Sequence, residues 1–164
     1  MVLSIVGKDR PGLVDELASA VISAKGNWLR SSFCQLSGHF AGFVEIMLQR
    51  DNHQQLIDAC QQLQDIQITL LPASESDNTA TTQILLKVTG NDRAGIVSDV
   101  TGALKRFDLN IQELSTVCES APNWGNLLFS ATMRIQAPLD FDAQALSHAI
   151  EEIADDLMVD LQAN

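Results

Sequence analysis

Apolar positions in the first half of the chain recur with two different periods. Residues 2–6 form a short apolar run that predicts a buried strand. Residues 28–36 and 40–49 predict two strands, residues 52–64 a second helix, and residues 66–71 a last strand. The first predicted helix carries an apolar face at helical spacing: Leu13, Val14, Leu17, Ala18, Val21 and Ile22. The predicted order is therefore β-α-β-β-α-β.

The second half repeats this order. The stretch GKDRPGLV, from Gly7 to Val14, returns 83 residues later as GNDRAGIV, from Gly90 to Val97. Matching spacing over both halves indicates an internal duplication. We predict an α+β chain of two tandem ferredoxin-like βαββαβ domains, each an antiparallel four-stranded sheet with its helices on one face. The predicted domains cover residues 1–72 and 83–164, with residues 73–82 as a linker.

Three residues carry predictions about helix ends. Pro11 suits the first turn of a helix, where the N–H that proline lacks has no partner. Gly26 is expected to end the first helix at a positive φ. Asp142 is expected to cap the last helix.

The hairpin in the middle of each half differs in length. The alternating pattern at Val44 and Ile46 best matches Ala131 and Met133, a shift of 87 residues. The second hairpin is therefore predicted to be about four residues longer than the first. Trp124 lies in that longer hairpin, and we expect it to contact a protein partner.

Composition and charge exclude several classes of protein. The 164 residues are 46% hydrophobic and 19% charged, as in a globular protein. A net charge of −11, without a local basic cluster, argues against direct binding of nucleic acid. No apolar run reaches the roughly 18–20 residues that a membrane span needs, and no signal peptide is recognisable. A cytoplasmic location is expected.

No residue pattern typical of an enzyme or a metal centre is present in the sequence. Cys34, Cys60 and Cys118 have no metal-ligand spacing and are expected to be free, mostly buried thiols. The histidines have no such spacing either, and no nucleophile or nucleotide-binding motif occurs. We predict no catalytic residue, no metal and no cofactor.

The repeated D-R-[PA]-G-[LI]-V turn, with an Asn after the first helix of each half, resembles the ACT domain, a regulatory module that binds small molecules. Two such domains with no catalytic domain are similar to the family of glycine cleavage system transcriptional repressors. The same turn also resembles the ACT portions of formyltetrahydrofolate deformylases and phosphoserine phosphatases, which carry catalytic domains besides.

The chemistry of the turn favours a small amino acid as ligand. A helix N-terminus offers free N–H groups to a carboxylate, and a glycine lets a ligand approach the backbone. The aspartates can accept from an ammonium, the arginines can add a contact to the carboxylate, and the asparagines can donate and accept. The predicted ligand-binding residues are Asp9, Arg10, Pro11, Gly12, Leu13, Asn27, Asp92, Arg93, Ala94, Gly95, Ile96 and Asn110.

Six of these residues also have a purely structural interpretation. Asp9 can cap its own helix, Gly12 and Gly95 can serve helix–sheet packing, and Asn27 can stabilise the turn after the helix. Arg10 and Arg93 can be solvated or paired with a neighbouring carboxylate. Ala94 replaces the proline of the first copy, so the first turn is the better prediction for ligand.

Two functions without catalysis follow from the resemblance. The first is a homo-oligomeric amino-acid sensor, with glycine as the expected ligand, that represses transcription through a DNA-binding activator. The second is a detached regulatory subunit that binds an amino acid and controls a metabolic enzyme. A small enzyme is a third hypothesis, which lacks an acid–base, nucleophile or metal constellation.

Overall fold

The computed structural model describes residues 1–73, 81–120 and 127–163. The chain divides into two compact units, Met1–Ser76 and Asp77–Asn164, here called the first and second units. Trp124 and most of the predicted linker lie outside the described residues.

The first unit is a four-stranded antiparallel sheet with strand order β2-β3-β1-β4. Strand β1 is longer than predicted because Gly7 and Lys8 continue it, and helix α2 follows a short 3-10 turn. Its elements are β1 Val2–Lys8, α1 Leu13–Ser23, β2 Asn27–Leu36, β3 His39–Met47, α2 His53–Gln61 and β4 Ile66–Leu71.

The second unit repeats the architecture, with strand order β6-β7-β5-β8. Strand β5 begins at Thr81, so the last two residues of the predicted linker belong to the strand. Its elements are β5 Thr81–Asn91, α3 Ile96–Arg106, β6 Asn110–Ser120, β7 Leu127–Pro138, α4 Ala143–Glu151 and β8 Met158–Ala163. The predicted fold of two tandem ferredoxin-like domains is confirmed.

Each unit has its own apolar core between the sheet and the helices. The predicted helical face of α1 is only partly buried, because Leu13, Leu17 and Val21 face the sheet while Val14 and Ile22 are exposed. Among the residues that the structure describes, no helix of either unit covers the opposite face of its sheet. The residues of that face are those that alternate with the core positions of each strand, such as Val6 and Lys8 in β1.

Helices α1 and α3 end in the same way, at a non-glycine residue with positive φ. Lys25 has φ 56° and Asp108 has φ 55°, 83 residues apart. After α1, the N–H groups of Lys25 and Gly26 donate to the carbonyls of Ile22 and Val21, which is a Schellman motif. The predicted positive φ at Gly26 is therefore wrong by one residue. A Cβ on Gly26 would lie 3.0 Å from Val21 Cγ1 and 3.1 Å from the Val21 carbonyl oxygen, so a side chain there requires a small local shift.

Strand pairing corrects the predicted offset between the two hairpins. Ser31 pairs with Val44, and its counterpart Leu114 pairs with Met133, so Val44 corresponds to Met133. The shift is 133 − 44 = 89 residues instead of 87, and the second hairpin is six residues longer than the first. Two residues join β2 to β3, and both have positive φ: Ser37 at 50° and Gly38 at 78°.

A cross-strand ion pair occurs at equivalent positions of the two sheets with its charges exchanged. Arg30 of β2 pairs with Glu45 of β3. In the second unit Glu113 of β6 occupies the arginine position, and its carboxylate lies 3.2 Å from Nε of Arg134 on β7. Each pair follows a β-bulge, between Trp28 and Arg30 in one sheet and at the matching place in the other.

Asp142 caps α4 as predicted. Its carboxylate accepts hydrogen bonds from the backbone N–H groups of Gln144 at 3.0 Å and Ala145 at 3.1 Å. We expect Asp142→Ala to destabilise the second unit by about 1 kcal/mol, because these donors lose their acceptor. Urea denaturation measures the change. Asp140→Ala removes the same charge from an exposed site outside the helix and is the control; an equal loss there contradicts a capping effect.

Candidate functional site

The two repeated turns connect β1 to α1 and β5 to α3, and are here called the first and second corners (residues 9–12 and 92–95). In both, a glycine immediately precedes the helix in the left-handed region: Gly12 at φ 86° and Gly95 at φ 89°. With Pro11 or Ala94 before it, this is the geometry of a type II turn. Pro11 therefore lies two residues before α1 begins, and its predicted place inside the first helical turn is wrong.

Both corner glycines are exposed, and a Cβ built on either would meet no atom within 4 Å. Close helix–sheet packing at these positions is therefore excluded. Positive φ is the reason for glycine, since an L side chain is strained there. The space in front of each turn is open to a ligand.

Backbone N–H groups at the first corner are unpartnered within the described residues. The N–H of Glu16 donates to the carbonyl of Gly12, but those of Gly12, Leu13 and Val14 have no backbone acceptor, and no side chain caps the helix. At the second corner the N–H of Ile96 donates weakly to Arg93, at 3.3 Å. The side chains of Leu13 and Ile96 are buried in the cores, so neither can contact a ligand.

The corner arginines pair with carboxylates on the helices that follow them. Nη1 and Nη2 of Arg10 each lie 2.5 Å from a carboxylate oxygen of Glu16. Nη1 of Arg93 lies 2.7 Å from Asp99, the counterpart of Glu16. The hydrogen bond from Arg10 lowers the pKa of Glu16, and the same bond raises the pKa of Arg10. Both arginines thus tie the turn to the helix, as the structural alternative proposed.

The corner aspartates hold the turn against the neighbouring hairpin through their backbone. The N–H of Asp9 donates to the carbonyl of Gly38 at 3.0 Å, and that of Asp92 to Leu127 at 2.9 Å. Neither carboxylate caps its helix, so helix capping by Asp9 is excluded. The Asp9 carboxylate has no hydrogen-bond donor among the described residues, and it is exposed.

Asn27 and Asn110 lie at the far end of the helix from their corners. Asn27 begins β2 beside Met47, whereas the first corner lies at the end of the sheet where Lys8 pairs with His39. The 11 residues of α1 separate Gly12 from Asn27 by roughly 15 Å. Within one unit, an amino acid cannot contact both.

Sequence reasoning missed two neighbours of the corners. Gly38 supports the first corner by accepting the hydrogen bond from Asp9. The sequence feature that could have revealed it is the Ser-Gly pair of a tight hairpin. At the second corner the pKa of the Cys118 thiol is raised, by desolvation first and then by the charge of Asp92. Cys34 and Cys118 are exposed and Cys60 is half-buried; all three are free, but the prediction that they are mostly buried is wrong.

The charge around the first corner is negative despite its free N–H groups. Between residues 9 and 16 there are three carboxylates, those of Asp9, Asp15 and Glu16, against the guanidinium of Arg10. A simple anion is repelled by this excess, whereas a zwitterion can place its carboxylate on the N–H groups and its ammonium near Asp9. The geometry therefore favours an α-amino acid over other carboxylates.

The Arg10–Glu16 pair predicts a pH-dependent contribution to stability. The folded-state pKa of Glu16 lies below its ordinary value of 4.5, so the stabilisation is present above pH 4.5 and lost as pH falls through the folded-state pKa. The difference in melting temperature between the wild type and Glu16→Gln is expected to shrink below pH 4.5. Asp15→Gln, next to Glu16 on the exposed side of α1, is the control; a difference that grows on acidification contradicts the pairing.

Comparisons with known proteins identify the family of the two domains. The family model described as "ACT domain" matches residues 1–70 and 82–164, which is nearly the whole chain in two copies. The chain belongs to the ACT domain family. A protein of unknown function from Galdieria sulphuraria is 30% identical, with a TM-score of 0.87, and the match covers 99% of this chain and 96% of that one.

A second solved structure, of a candidate glycine cleavage system transcriptional repressor, shares the tandem ACT fold. It is 19% identical, with a TM-score of 0.72, and the match covers 99% of this chain and 95% of that one. A search of curated proteins gave no match.

The described parts of the two ACT domains are further characterised by what they lack. Their helices are too short and too polar to cross a bilayer. Nowhere in residues 1–73, 81–120 and 127–163 do three His, Cys, Asp or Glu side chains converge as metal ligands would. The chain consists of domains of a regulatory family, and the ligands of such domains are typically small amino acids.

Proposed function

We propose that this tandem ACT protein is a non-enzymatic amino-acid sensor whose first corner binds a small α-amino acid, with glycine as the expected ligand. The observation that carries the proposal is the open first corner, where the exposed residues Gly12 and Val14 have N–H groups without a backbone acceptor, close in sequence to the exposed Asp9 carboxylate. An amino acid can place its carboxylate on the N–H groups and its ammonium near Asp9, because one carbon separates its two charged groups. A small side chain suits a site without walls of its own.

A ligand role for Asn27 requires assembly of more than one chain. Because Asn27 lies about 15 Å from its own corner, it can contact the same ligand as Gly12 only if it comes from a neighbouring copy. A homo-oligomer that joins the corner of one copy to the asparagine of another provides a complete site for carboxylate, ammonium and side chain. Ligand binding then stabilises that assembly over the separate chains, which is the differential affinity that a sensor needs.

A thermal-shift screen against the proteinogenic amino acids tests the proposal. A ligand that binds only the folded state raises the melting temperature. Glycolate, which lacks the ammonium, and glycinamide, which lacks the carboxylate, are matched controls and should have no effect. If no amino acid at millimolar concentration shifts the melting temperature, the sensor proposal fails.

The two corners are expected to differ in ligand binding. Gly12→Val should weaken binding more than Gly95→Val, because Pro11 preorganises the first turn and Ala94 does not preorganise the second. Both glycines have the same positive φ and the same open surroundings. The strain introduced by valine is therefore matched between the two variants. Equal losses of affinity would refute the prediction that the first corner is the better ligand site.

The output of the sensor is proposed to be repression of transcription through a protein partner in the cytoplasm, by analogy with the candidate repressor of the same fold. The acidic surface, with a net charge of −11, supports an indirect route over contact with DNA. Affinity capture from cell extract, with and without glycine, tests this. Recovery of a DNA-binding activator supports it, whereas recovery of a biosynthetic enzyme alone supports the regulatory-subunit alternative.

A further inference from the structure

A depression of about 400 Å³ lies at the end of the first sheet, on the face that carries no helix. Lys8 and His39 line it from β1 and β3, where they are direct cross-strand partners. Cross-strand partners on one face have Cβ atoms about 5 Å apart, so an ammonium and an imidazole can converge on one group. Val6 supplies an apolar floor, and Gln67, its partner on β4, adds an amide.

The edge of this depression is built with a strained residue. Asp65, which precedes β4, has φ 62°, a conformation that costs a non-glycine residue free energy. This conformation aims its carbonyl at the N–H of Lys8, at 3.2 Å. Its carboxylate acts on Arg10, whose pKa it helps to raise after the larger effect of Glu16. Asp65 is thus held by a backbone contact to β1, and its charge is partly offset by Arg10.

The second unit lacks the basic pair of this arrangement, although it keeps the aspartate. The counterparts of Lys8 and His39 are Asn91 and Leu128, which are also direct partners. The counterpart of Asp65 is Asp156, whose carboxylate, not its carbonyl, accepts the N–H of Asn91 at 2.9 Å. That hydrogen bond lowers the pKa of Asp156. The basic pair is therefore specific to the first unit and is not a consequence of the shared fold.

We propose that Lys8 and His39 form a binding site for an oxyanion group, a carboxylate or a phosphate, of a small molecule other than the amino acid at the corner. The two donors lie on the open face of the sheet, whereas the free N–H groups of the corner begin α1 on the other. A phosphate or carboxylate there can accept from the Lys8 ammonium and, once the imidazole is protonated, from Nε2 of His39, whose Nδ1 lies 3.2 Å from the carbonyl oxygen of Ser37. Such a pair of donors stands out in a protein that is otherwise strongly acidic. The apolar floor accommodates a short carbon chain attached to the anion.

Histidine NMR tests the site directly, because the chain has three histidines and only His39 lies in the depression. Inorganic phosphate and succinate are titrated separately at constant ionic strength and pH. Saturable movement of the His39 ring signals, with those of His53 and His148 unmoved, is the expected result. The probe that saturates at lower concentration identifies phosphate or carboxylate as the preferred group. Equal movement of all three histidines with both probes would overturn the proposal.

Two variants separate binding from general electrostatics. Lys8→Gln is expected to weaken the response of His39 about tenfold, the value of one charge-assisted hydrogen bond. Lys87→Gln removes the same charge from the open face of the second unit, opposite Thr132, and should leave the titration unchanged. If the two variants behave alike, the site does not exist. The amino-acid thermal shift is unaffected by Lys8→Gln if the corner is a separate site.

Discussion

Leu56→Ala is expected to lower the free energy of unfolding of the first unit by about 3 kcal/mol. Leu56 has 0% exposure and is the one residue of α2 that is fully buried, so its side chain anchors the helix to the sheet. Truncation leaves a cavity that the half-buried Cys60 and Leu63 cannot fill without moving α2. Urea denaturation followed by far-UV circular dichroism measures the loss.

The second unit provides the comparison. Helix α4 buries both Leu146 and Ile150 and has the Asp142 cap, so Leu146→Ala should leave α4 attached although it costs a similar free energy. Hydrogen exchange distinguishes the two: amides of α2 should lose protection selectively in Leu56→Ala. Ile22→Ala, at a side chain 71% exposed, is the control and should not destabilise. Unchanged protection of α2 would show that its attachment does not depend on Leu56.

Gly7→Ala is expected to destabilise the first unit by about 2–3 kcal/mol, for the opposite reason. A Cβ on Gly7 would clash with the carbonyl oxygen of Asp65 and lie 2.5 Å from Cγ2 and 2.9 Å from Cα of Ile66. Two of these obstacles are backbone atoms, one of Asp65, which precedes β4, and one of Ile66, which pairs with Gly7. Relief requires β4 to move and breaks the hydrogen bond that Asp65 accepts from Lys8.

Gly90→Ala is a matched control at the equivalent position. Its Cβ would meet the end of the Leu157 side chain at 2.6 Å and a backbone oxygen only at 3.1 Å, so rotation of one side chain relieves most of the overlap. A smaller loss than in Gly7→Ala is expected, by urea denaturation. Gly102→Ala, exposed in α3 with no atom within 4 Å, should instead stabilise by about 0.5–1 kcal/mol. Equal losses at Gly7 and Gly90 would contradict the difference between backbone and side-chain obstacles.

The repeat and the fold could be predicted because the spacing of hydrophobic residues shows which face of each helix or strand is buried. The offset between hairpins could not, because a strand pattern repeats every two residues. Shifts of 87 and 89 place the same kinds of side chain on the same face, and only the pairing of Leu114 with Met133 separates them. The end of α1 was misplaced by one residue because glycine was assumed to take the positive φ that Lys25 adopts.

The chemistry of the corner was predictable residue by residue, but the distances between residues were not. Asp9 and Gly12 are close in sequence and stay together in the turn. Asn27 follows α1, and only the length of that helix, read with the direction of β2, shows that it lies at the opposite end of the sheet. The ion pair of Arg10 with Glu16 spans six residues, a spacing that joins a turn to a helix and is not a familiar helical pair.

The exchanged charges of the Arg30–Glu45 and Glu113–Arg134 pairs have a consequence for folding. A chain with two similar domains can mispair, so that a strand of one half takes the place of its counterpart in the other. If β6 paired with β3, Glu113 would face Glu45; if β2 paired with β7, Arg30 would face Arg134. Like charges directly opposite are unfavourable. The exchanged order of the two charges therefore favours pairing of each strand with its partner in the same unit over pairing with the equivalent strand of the other unit.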